Sequence, residues 1–392
     1  MNNYFTEINN YGSTISPNVV SFSSTINLDM AVYSDFTLTL TGNAVIANPT
    51  SFSPGNSGVI VIAQDSIGNR SVSFGNSFLF QNGVSPVLSS SPGAIDTISY
   101  TVISQTEILC VMHTNFSAPL ILDQLSVLPN VAYGLRSLTK TYNGPLIQVR
   151  RSSDNAVMNI NAINGVLDTL TLMNFCGSGN GFISKWYNQG ISSSGYDMIQ
   201  PNIAYQPQIV TNGVVETTNG LPAVLGNRSN TLYLFSNNVA SQFNSTEFTF
   251  NTVSKLVDED YQSLILGTTD PQNNGGLQMG WGGTDIFGMQ IYGQSGGDFS
   301  IPVTTNLVLI TGIWTVLGSV LFLNGENQGS VSTPTGPLNA SGNFVLFGGP
   351  SVYSGASTFG GYISEIVGFT NSLSTSDRSI LENNQRIYFS IT

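Results

Sequence analysis

Residues 307–323 read LVLITGIWTVLGSVLFL, and the pair Asn324-Gly325 follows directly. The stretch carries no charge and approaches the roughly 20 apolar residues that a membrane-spanning helix needs. Its β-branched residues and internal Thr and Gly residues instead favour two short strands that join near residues 317–319. The Asn-Gly pair is typical of the tight turn that follows such a strand. We therefore expect strands here, not a membrane span.

The same alternation of apolar runs and turn residues predicts an all-β chain throughout. Its 392 residues exceed the usual size of one domain. A proline near each end of residues 119–130, together with a change of pattern, indicates an interdomain connection. We divide the chain into an N-terminal arm at 1–30, a small β domain at 31–118, a linker at 119–130 and a larger domain at 131–392.

Two short helices and no long repeat complete the organisation. Helices are expected near residues 166–175 and 374–386, and the second has Ser374 three positions before Asp377, as in a capping box. No repeat of 20–50 residues is recognisable, so a solenoid is not indicated. The opening residues, MNNYFTEINNYGSTIS, lack the series typical of a secretory signal, and we expect none.

Composition narrows the classes of function. Charged residues make up 8% of the chain and the net charge is -12, with ten Lys and Arg in all, so no cationic stripe can neutralise phosphates and nucleic-acid binding is disfavoured. One histidine, His113, and two distant cysteines, Cys110 and Cys176, do not predict a zinc or copper site. The acidic run at 258–260 lacks the spaced oxygens of a calcium loop and fits an exposed turn better. We expect no cofactor.

Residues 132–160, AYGLRSLTKTYNGPLIQVRRSSDNAVMNI, resemble the opening of the arabinofuranosidase B-type concanavalin A-like domain. The segments KWYNQ (185–189), QPQI (206–209) and GLPA (220–223) resemble the family's next motifs, in the expected order. Residues 360–388 are similar to the last strand and helix of laminin G-like sandwiches. The resemblance implies a jelly-roll β-sandwich over 131–392. It also implies a cysteine pair after the first helix, of which Cys176 occupies the first position and Gly181 the second.

The N-terminal part resembles a small β module of bacteriophage virion proteins in LTLTGNA (38–44), RSVSFG (70–75) and EILC (107–110). The two resemblances together imply a virion structural protein, a capsid decoration or tail component assembled in the host cytoplasm, without catalysis. Other virion proteins and further copies of the chain are its expected partners. Two alternatives stay open: a host-recognition module that binds surface glycans, and an arabinofuranosidase-like glycoside hydrolase.

Candidate site residues follow from residue type. Enzymes of the resembled family use two carboxylates about 5 Å apart when they retain the anomeric configuration. The candidates here are Glu216, Glu247, Asp285 and Asp298, although none has a context that matches the family's catalytic strands. Because an aromatic face beside a carboxylate can hold a sugar ring, the carbohydrate-binding candidates are Trp281, Asp285 and Tyr292. Core packing of Trp281 and Tyr292 is the alternative.

Two further groups are interpreted as structural. Arg150 and Arg151, with Asp154, form a charge cluster that can hold the turn between two strands, and the two arginines should point to opposite faces. His113 ends an apolar strand, and no recognisable partner makes it part of a nucleophilic site.

Overall fold

The structure is a computed structural model that describes residues 17–65, 67–90, 93–116, 120–191, 195–227, 231–257, 263–269, 276–282, 286–291, 295–332, 338, 342–348 and 358–392. The predicted all-β class is confirmed, because strands dominate and the α-helices are few and short. The chain divides into two compact units, Met1–Ala118 and Pro119–Thr392. None of the helices in the described ranges is long and apolar enough to cross a membrane.

The first unit contains a six-stranded sheet in the order β1-β3-β5-β8-β9-β7 and a three-stranded sheet β2-β4-β6. Its strands are β1 (Asn18–Val20), β2 (Thr25–Ile26), β3 (Phe36–Leu40), β4 (Ala44–Ile46), β5 (Ser57–Gln64), β6 (Val72–Phe74), β7 (Phe78–Phe80), β8 (Ile95–Val102) and β9 (Ile108–Phe116).

Successive strands of residues 18–74 alternate between these two sheets, and each pairs in parallel with the next strand but one. Over this segment the chain therefore winds as a short two-sided parallel coil. Strand β3 starts 18 residues after β1 and β5 starts 21 residues after β3, so the turns differ in length. This irregularity leaves no fixed period in the sequence. Residues 18–30, assigned to an arm, contribute the buried Ile26, Leu28 and Met30 to the core.

The second unit is built on one large sheet that closes on itself. The 3-10 turns Ile121–Gln124 and Ile203–Tyr205 lie outside it, as do the short hairpins β13–β14 and β19–β20. Strands up to β22 are β10 (Val131–Gly134), β11 (Ile147–Arg151), β12 (Val157–Ile160), β13 (Ala162–Ile163), β14 (Val166–Leu167), β15 (Gly181–Trp186), β16 (Met198–Ile199), β17 (Gln208–Thr211), β18 (Val214–Val215), β19 (Thr217–Thr218), β20 (Leu221–Pro222), β21 (Val224–Gly226) and β22 (Leu234–Ser236).

Later strands are longer and make most of the closed sheet. They are β23 (Phe248–Leu256), β24 (Ser263–Thr268), β25 (Leu277–Trp281), β26 (Ile286–Ile291), β27 (Ser295–Ser300), β28 (Leu307–Thr315), β29 (Gly318–Leu323), β30 (Glu326–Val331), β31 (Phe344–Leu346) and β32 (Gly361–Phe369). The helices are α1 (Thr169–Cys176), α2 (Val239–Gln242) and α3 (Thr375–Phe389).

Two runs of strands leave β15 and enclose the core of the second unit. One passes through β16, β22, β31, β24, β25 and β26 to β27, and the other through β17, β21, β32, β23, β28 and β29 to β30. Stacked rings of Phe248 and Trp314, 4.7 Å apart, join β23 to β28 inside this core. The two strands predicted in residues 307–323 are confirmed as the antiparallel pair β28 and β29, with the Asn324-Gly325 turn leading into β30.

Helix α3 covers the outer face of β23, β28 and β32. The predicted cap is confirmed, since Ser374 Oγ accepts the Asp377 N–H. Burial alone would raise the pKa of Asp377, but hydrogen bonds from Ser126 N and Oγ, at 2.8 and 2.5 Å, leave that pKa below its ordinary value. Ser126 belongs to residues 119–130, which the sequence assigned to a linker; here Ile121 and Leu122 are buried in the second unit.

A buried polar network lies beneath the same helix. Arg136 forms two hydrogen bonds with Glu365, at 2.7 and 3.1 Å. Gln385 Nε2 donates to Glu365 and to Asn251, and Asn251 donates to Thr311. The network ties α3 to three strands, and Glu365 is fully buried. Removing either ion of such a pair leaves the other charge buried and uncompensated.

Candidate functional site

One face of the second unit's sheet carries a continuous row of opposed residues. Phe235 on β22 lies opposite Val345, Val345 opposite Gly267, Gly267 opposite Gln278 and Gln278 opposite Gln290 on β26. Opposed residues of paired strands point to the same face. At about 4.8 Å per strand, the row from Phe235 to Gln290 spans about 19 Å. We call this set of five residues the cross-strand row.

The opposite face of β25 and β26 belongs to the core. Trp281 is only 3% exposed, and its ring packs edge-on against Phe287 with centroids 5.0 Å apart. The structure thus places Trp281 in core packing, the alternative that the sequence also offered, and leaves no open ring face for a sugar. Asp285 and Tyr292 lie outside the described residues, so their part in a sugar site stays a prediction.

Asp298 stands at the outer end of the cross-strand row. It is exposed on β27, opposite Gly288. The amide of Gln290 donates to Asp298 Oδ1 at 2.9 Å. A Cβ atom on Gly288 would lie 3.5 Å from this oxygen, so the missing side chain leaves the carboxylate open on that side. We call Asp298, Gln290, Gly288 and Gln278 the Asp298 site.

Glu216, a second candidate, is partly exposed and accepts hydrogen bonds from two hydroxyl groups. Tyr362 Oη donates to its Oε2 at 3.0 Å, and Thr211 Oγ1 donates to Oε1. Burial raises the pKa of Tyr362, and the neighbouring Glu216 raises it further, to about 12. Tyr362 therefore stays a hydrogen-bond donor over the ordinary pH range, and Glu216 is oriented by it.

Glu247 lies far from Glu216. It accepts a hydrogen bond from Ser372 Oγ at 3.3 Å and directly precedes strand β23. Tyr362, the partner of Glu216, is opposite Lys255 near the other end of that strand. Eight residues of strand correspond to about 26 Å. Glu216 and Glu247 therefore cannot form the closely spaced carboxylate pair of a retaining glycosidase.

The arginine cluster has the structural role that the sequence predicted. Arg151 makes a two-pronged contact with Asp154, at 2.8 and 2.7 Å. Arg150 points the other way and is buried, where it donates to Gln206 and Asn155 at 2.7 Å each. Both arginines are therefore engaged in contacts that hold this turn, Arg150 in the interior and Arg151 at the surface.

The cysteine and histidine positions give no further site. Cys110 and Cys176 are buried free thiols. A Cβ atom on Gly181 would lie 2.7 Å from Cys176 Sγ, which agrees with the expected replacement of a paired cysteine by Gly181. His113 is exposed on β9, opposite Thr97. Within the described ranges, His, Cys, Asp and Glu side chains do not gather in threes that could hold a metal ion.

Sequence reasoning missed Gln278, Gln290 and Gly288, although a local signal was present. The segments LQMGW (277–281) and IFGMQI (286–291) alternate large apolar residues with Gln or Gly. In strands this alternation separates a core face from an outer face with small and polar residues. The prediction rested on the Gly-rich run and its tryptophan, and so named the core-facing Trp281 instead.

Comparison with known proteins gives one family model and a set of solved structures. The model of the catalytic domain of alpha-L-arabinofuranosidase B matches residues 129–253. A GH54 α-L-arabinofuranosidase soaked with a cyclic sulfate inhibitor is 15% identical, with a TM-score of 0.51 over 65% of this chain and 62% of its own. An arabinofuranosidase complexed with arabinofuranosyl-alpha-1,2-xylobiose is 16% identical, with a TM-score of 0.52 over 67% of this chain and 63% of its own.

These likenesses show a shared fold, and this chain spans less than two thirds of the length of either enzyme. No curated protein matches the sequence. The expected resemblance of the larger unit to arabinofuranosidase B is supported, whereas no finding supports a bacteriophage module in the first unit. The expectation of a virion structural protein without catalysis is wrong, because the family match is to a catalytic domain and the similar structures are glycoside hydrolases.

Proposed function

We propose that this chain hydrolyses glycosidic bonds in arabinofuranose-containing glycans. The observation that carries the proposal is the match of residues 129–253 to the arabinofuranosidase B catalytic-domain model. The fold supports it, since the similar structures are arabinofuranosidases that bind an inhibitor or an arabinofuranosyl-xylobiose.

Most glycoside hydrolases use two carboxyl groups at the scissile bond. We propose Asp298 as one of the two. Its carboxylate is exposed, the Gln290 amide donates a hydrogen bond to it, and Gly288 places no side chain against it. Glu216 and Glu247 suit the role less well, because each is bonded to hydroxyl groups of its own surroundings and the two lie far apart.

Release of 4-nitrophenol from 4-nitrophenyl α-L-arabinofuranoside tests the proposal. The wild type should hydrolyse this compound, and Asp298→Asn should lower kcat/KM by about 100-fold or more, the usual share of a positioned acid or base. Glu247→Gln is the matched control, since it also neutralises one carboxylate that is not buried, and it should keep full activity. A wild type inactive on aryl arabinofuranosides and on arabinan would refute the function. An active Asp298→Asn would refute the assignment of that residue.

A further inference from the structure

Three aromatic rings form a second feature on the same sheet face. The rings of Tyr205 and Tyr233 have centroids 5.7 Å apart, and those of Tyr233 and Phe235 are 6.1 Å apart. Tyr205 is 38% exposed, and the other two are partly exposed. We call these residues the aromatic row. Phe235 is also the first member of the cross-strand row, so the aromatic row and Asp298 lie on the same side of the sheet, with the buried residues Val345 and Gly267 between them.

The backbone under the aromatic row is fixed by buried hydrogen bonds. The Tyr233 N–H donates to the Tyr205 carbonyl at 3.0 Å. Gln200 Nε2 donates to the Tyr233 carbonyl at 3.1 Å, and Gln206 Nε2 donates to the Gln200 carbonyl at 2.8 Å. Arg150 Nε in turn donates to Gln206 Oε1 at 2.7 Å. All three supporting side chains are buried, so the backbone at the two tyrosines is held in place before any ligand arrives.

Burial of the supporting Arg150 charge costs free energy. In the described part of the chain Arg150 donates to neutral groups, the side chains of Gln206 and Asn155 and the Ile203 carbonyl, and its guanidinium lies 4.6 Å from the Phe182 ring centroid. Burial lowers the pKa of Arg150. A buried charge compensated by neutral groups alone costs free energy. Its effect here is to fix the segment that presents Tyr205.

The chemistry of the aromatic row fits a neutral glycan. Aromatic rings bury large apolar faces, while the tyrosine hydroxyl groups can bond to sugar hydroxyls. Rigid aromatic side chains that need little ordering bind with a small entropic cost. The net charge of -12 would repel an acidic polysaccharide, which favours an uncharged ligand.

We propose that the aromatic row binds a neutral polysaccharide chain several sugar residues away from the Asp298 site. Phe235 lies about 19 Å from Gln290 across the sheet, more than a single arabinofuranose can span. The placement relative to cleavage rests on the proposed function, whereas binding by the aromatic row does not. The substrate implied is a polymer with arabinofuranose units and not a small arabinoside.

Affinity electrophoresis in gels with arabinan or arabinoxylan tests this proposal, with the full chain and the variants Tyr205→Ala and Tyr233→Ala. Each variant should bind at least one polymer about fivefold more weakly, the loss expected from one aromatic contact. Tyr205→Phe keeps the ring and should retain binding. Tyr33→Ala is the control, because Tyr33 is 36% exposed in the first unit and should have no effect.

The readouts separate binding from cleavage and from folding. Hydrolysis of the aryl arabinofuranoside should be unchanged in Tyr205→Ala, because that small substrate cannot reach the aromatic row. The proposal would be overturned if the polymer in the gel slowed the wild type and both alanine variants equally. A wild type that binds neither polymer would also overturn it. Equal loss of aryl hydrolysis and of polymer binding would also overturn it, since Tyr205 would then act on the fold. Binding of polymer through the row by a wild type without hydrolytic activity would support it and refute only the hydrolase function.

Discussion

Replacement of Gly181 by cysteine should form a disulfide bond with Cys176. In a disulfide, the Cβ of one cysteine lies about 3.0 Å from the sulfur of the other. A Cβ atom on Gly181 would lie 2.7 Å from Cys176 Sγ, so the backbone is already close to the required geometry. Burial raises the pKa of the Cys176 thiol, and the bond should therefore form faster in alkaline buffer with oxidised glutathione than at neutral pH.

The stability gain can be derived from the length of the closed loop. Crosslinking residues 176–181 closes a loop of about six residues, which lowers the entropy of the unfolded chain by the equivalent of about 2 kcal/mol. The new Cβ lies 3.2 Å from Val149 Cγ1 and from Val210 Cβ, and this crowding offsets part of the gain. We expect a net stabilisation of about 1 kcal/mol and a rise of about 2–4 °C in the Tm of the second unit.

Thiol titration of the denatured variant and thermal unfolding check this result. With two native cysteines, Gly181→Cys has three thiols, of which only that of Cys110 should remain after oxidation. Gly181→Ala measures the crowding alone and should have a lower Tm than the oxidised variant. Three free thiols after oxidation would refute the reasoning, because they would mean that Cys176 and position 181 are not neighbours.

Three further perturbations test other parts of the structure. Glu365→Gln leaves the Arg136 charge buried without its partner and should lower the free energy of unfolding by about 3–5 kcal/mol, measured by urea denaturation. Asp377→Asn should destabilise the protein by about 1–2 kcal/mol at neutral pH. Because the pKa of Asp377 is lowered in the fold, its contribution is present above the ordinary value of 3.8 and is lost as pH falls through the lower, folded value, so the difference between variant and wild type should vanish in acid. Gly288→Val should lower hydrolysis of the aryl arabinofuranoside with little change in Tm, because its methyl groups would occupy the space beside the Asp298 carboxylate.

Each of these perturbations has its own control. Asp154→Asn removes an exposed ion pair and should cost much less than Glu365→Gln. A pH-independent effect of Asp377→Asn would contradict the role of its ionised form. If Gly288→Val hydrolyses the arabinofuranoside as fast as the wild type, the open side of Asp298 is not where the sugar binds. Gly288→Ala, whose Cβ atom would make only ordinary contacts at 3.5 Å or more, separates the loss of the glycine from the bulk of the valine methyl groups.

Local pattern predicted the elements whose contacts are close in sequence. The strands of residues 307–323 and the cap at Ser374 follow from side-chain period and turn chemistry, which act over a few residues. The first predicted helix shows the limit of this approach. Asp168 caps α1 by accepting the Thr171 N–H, so the helix begins at Thr169. The β-branched Val166 and its neighbour Leu167 form a hairpin strand instead.

The site could not be predicted in the same way, because it depends on register between distant strands. Phe235 and Val345 face each other across 110 positions of sequence, and Gln278 joins the same row only through Gly267. A shift of one residue in any of these pairings would turn the side chains to the other face. The support of Tyr233 by Arg150 is likewise visible only once the chain is folded, since it runs through Gln206, 56 positions from Arg150, and Gln200, 33 positions from Tyr233.

The two-sided parallel coil of residues 18–74 has an evolutionary consequence. Each strand in it contacts mainly the strands directly before and after it in the same sheet, so its stability is close to a sum over neighbouring layers. An inserted segment of two strands would lengthen both sheets by one strand and leave the existing pairings in register. This part of the chain can therefore gain or lose length by duplication without a redesign of its core.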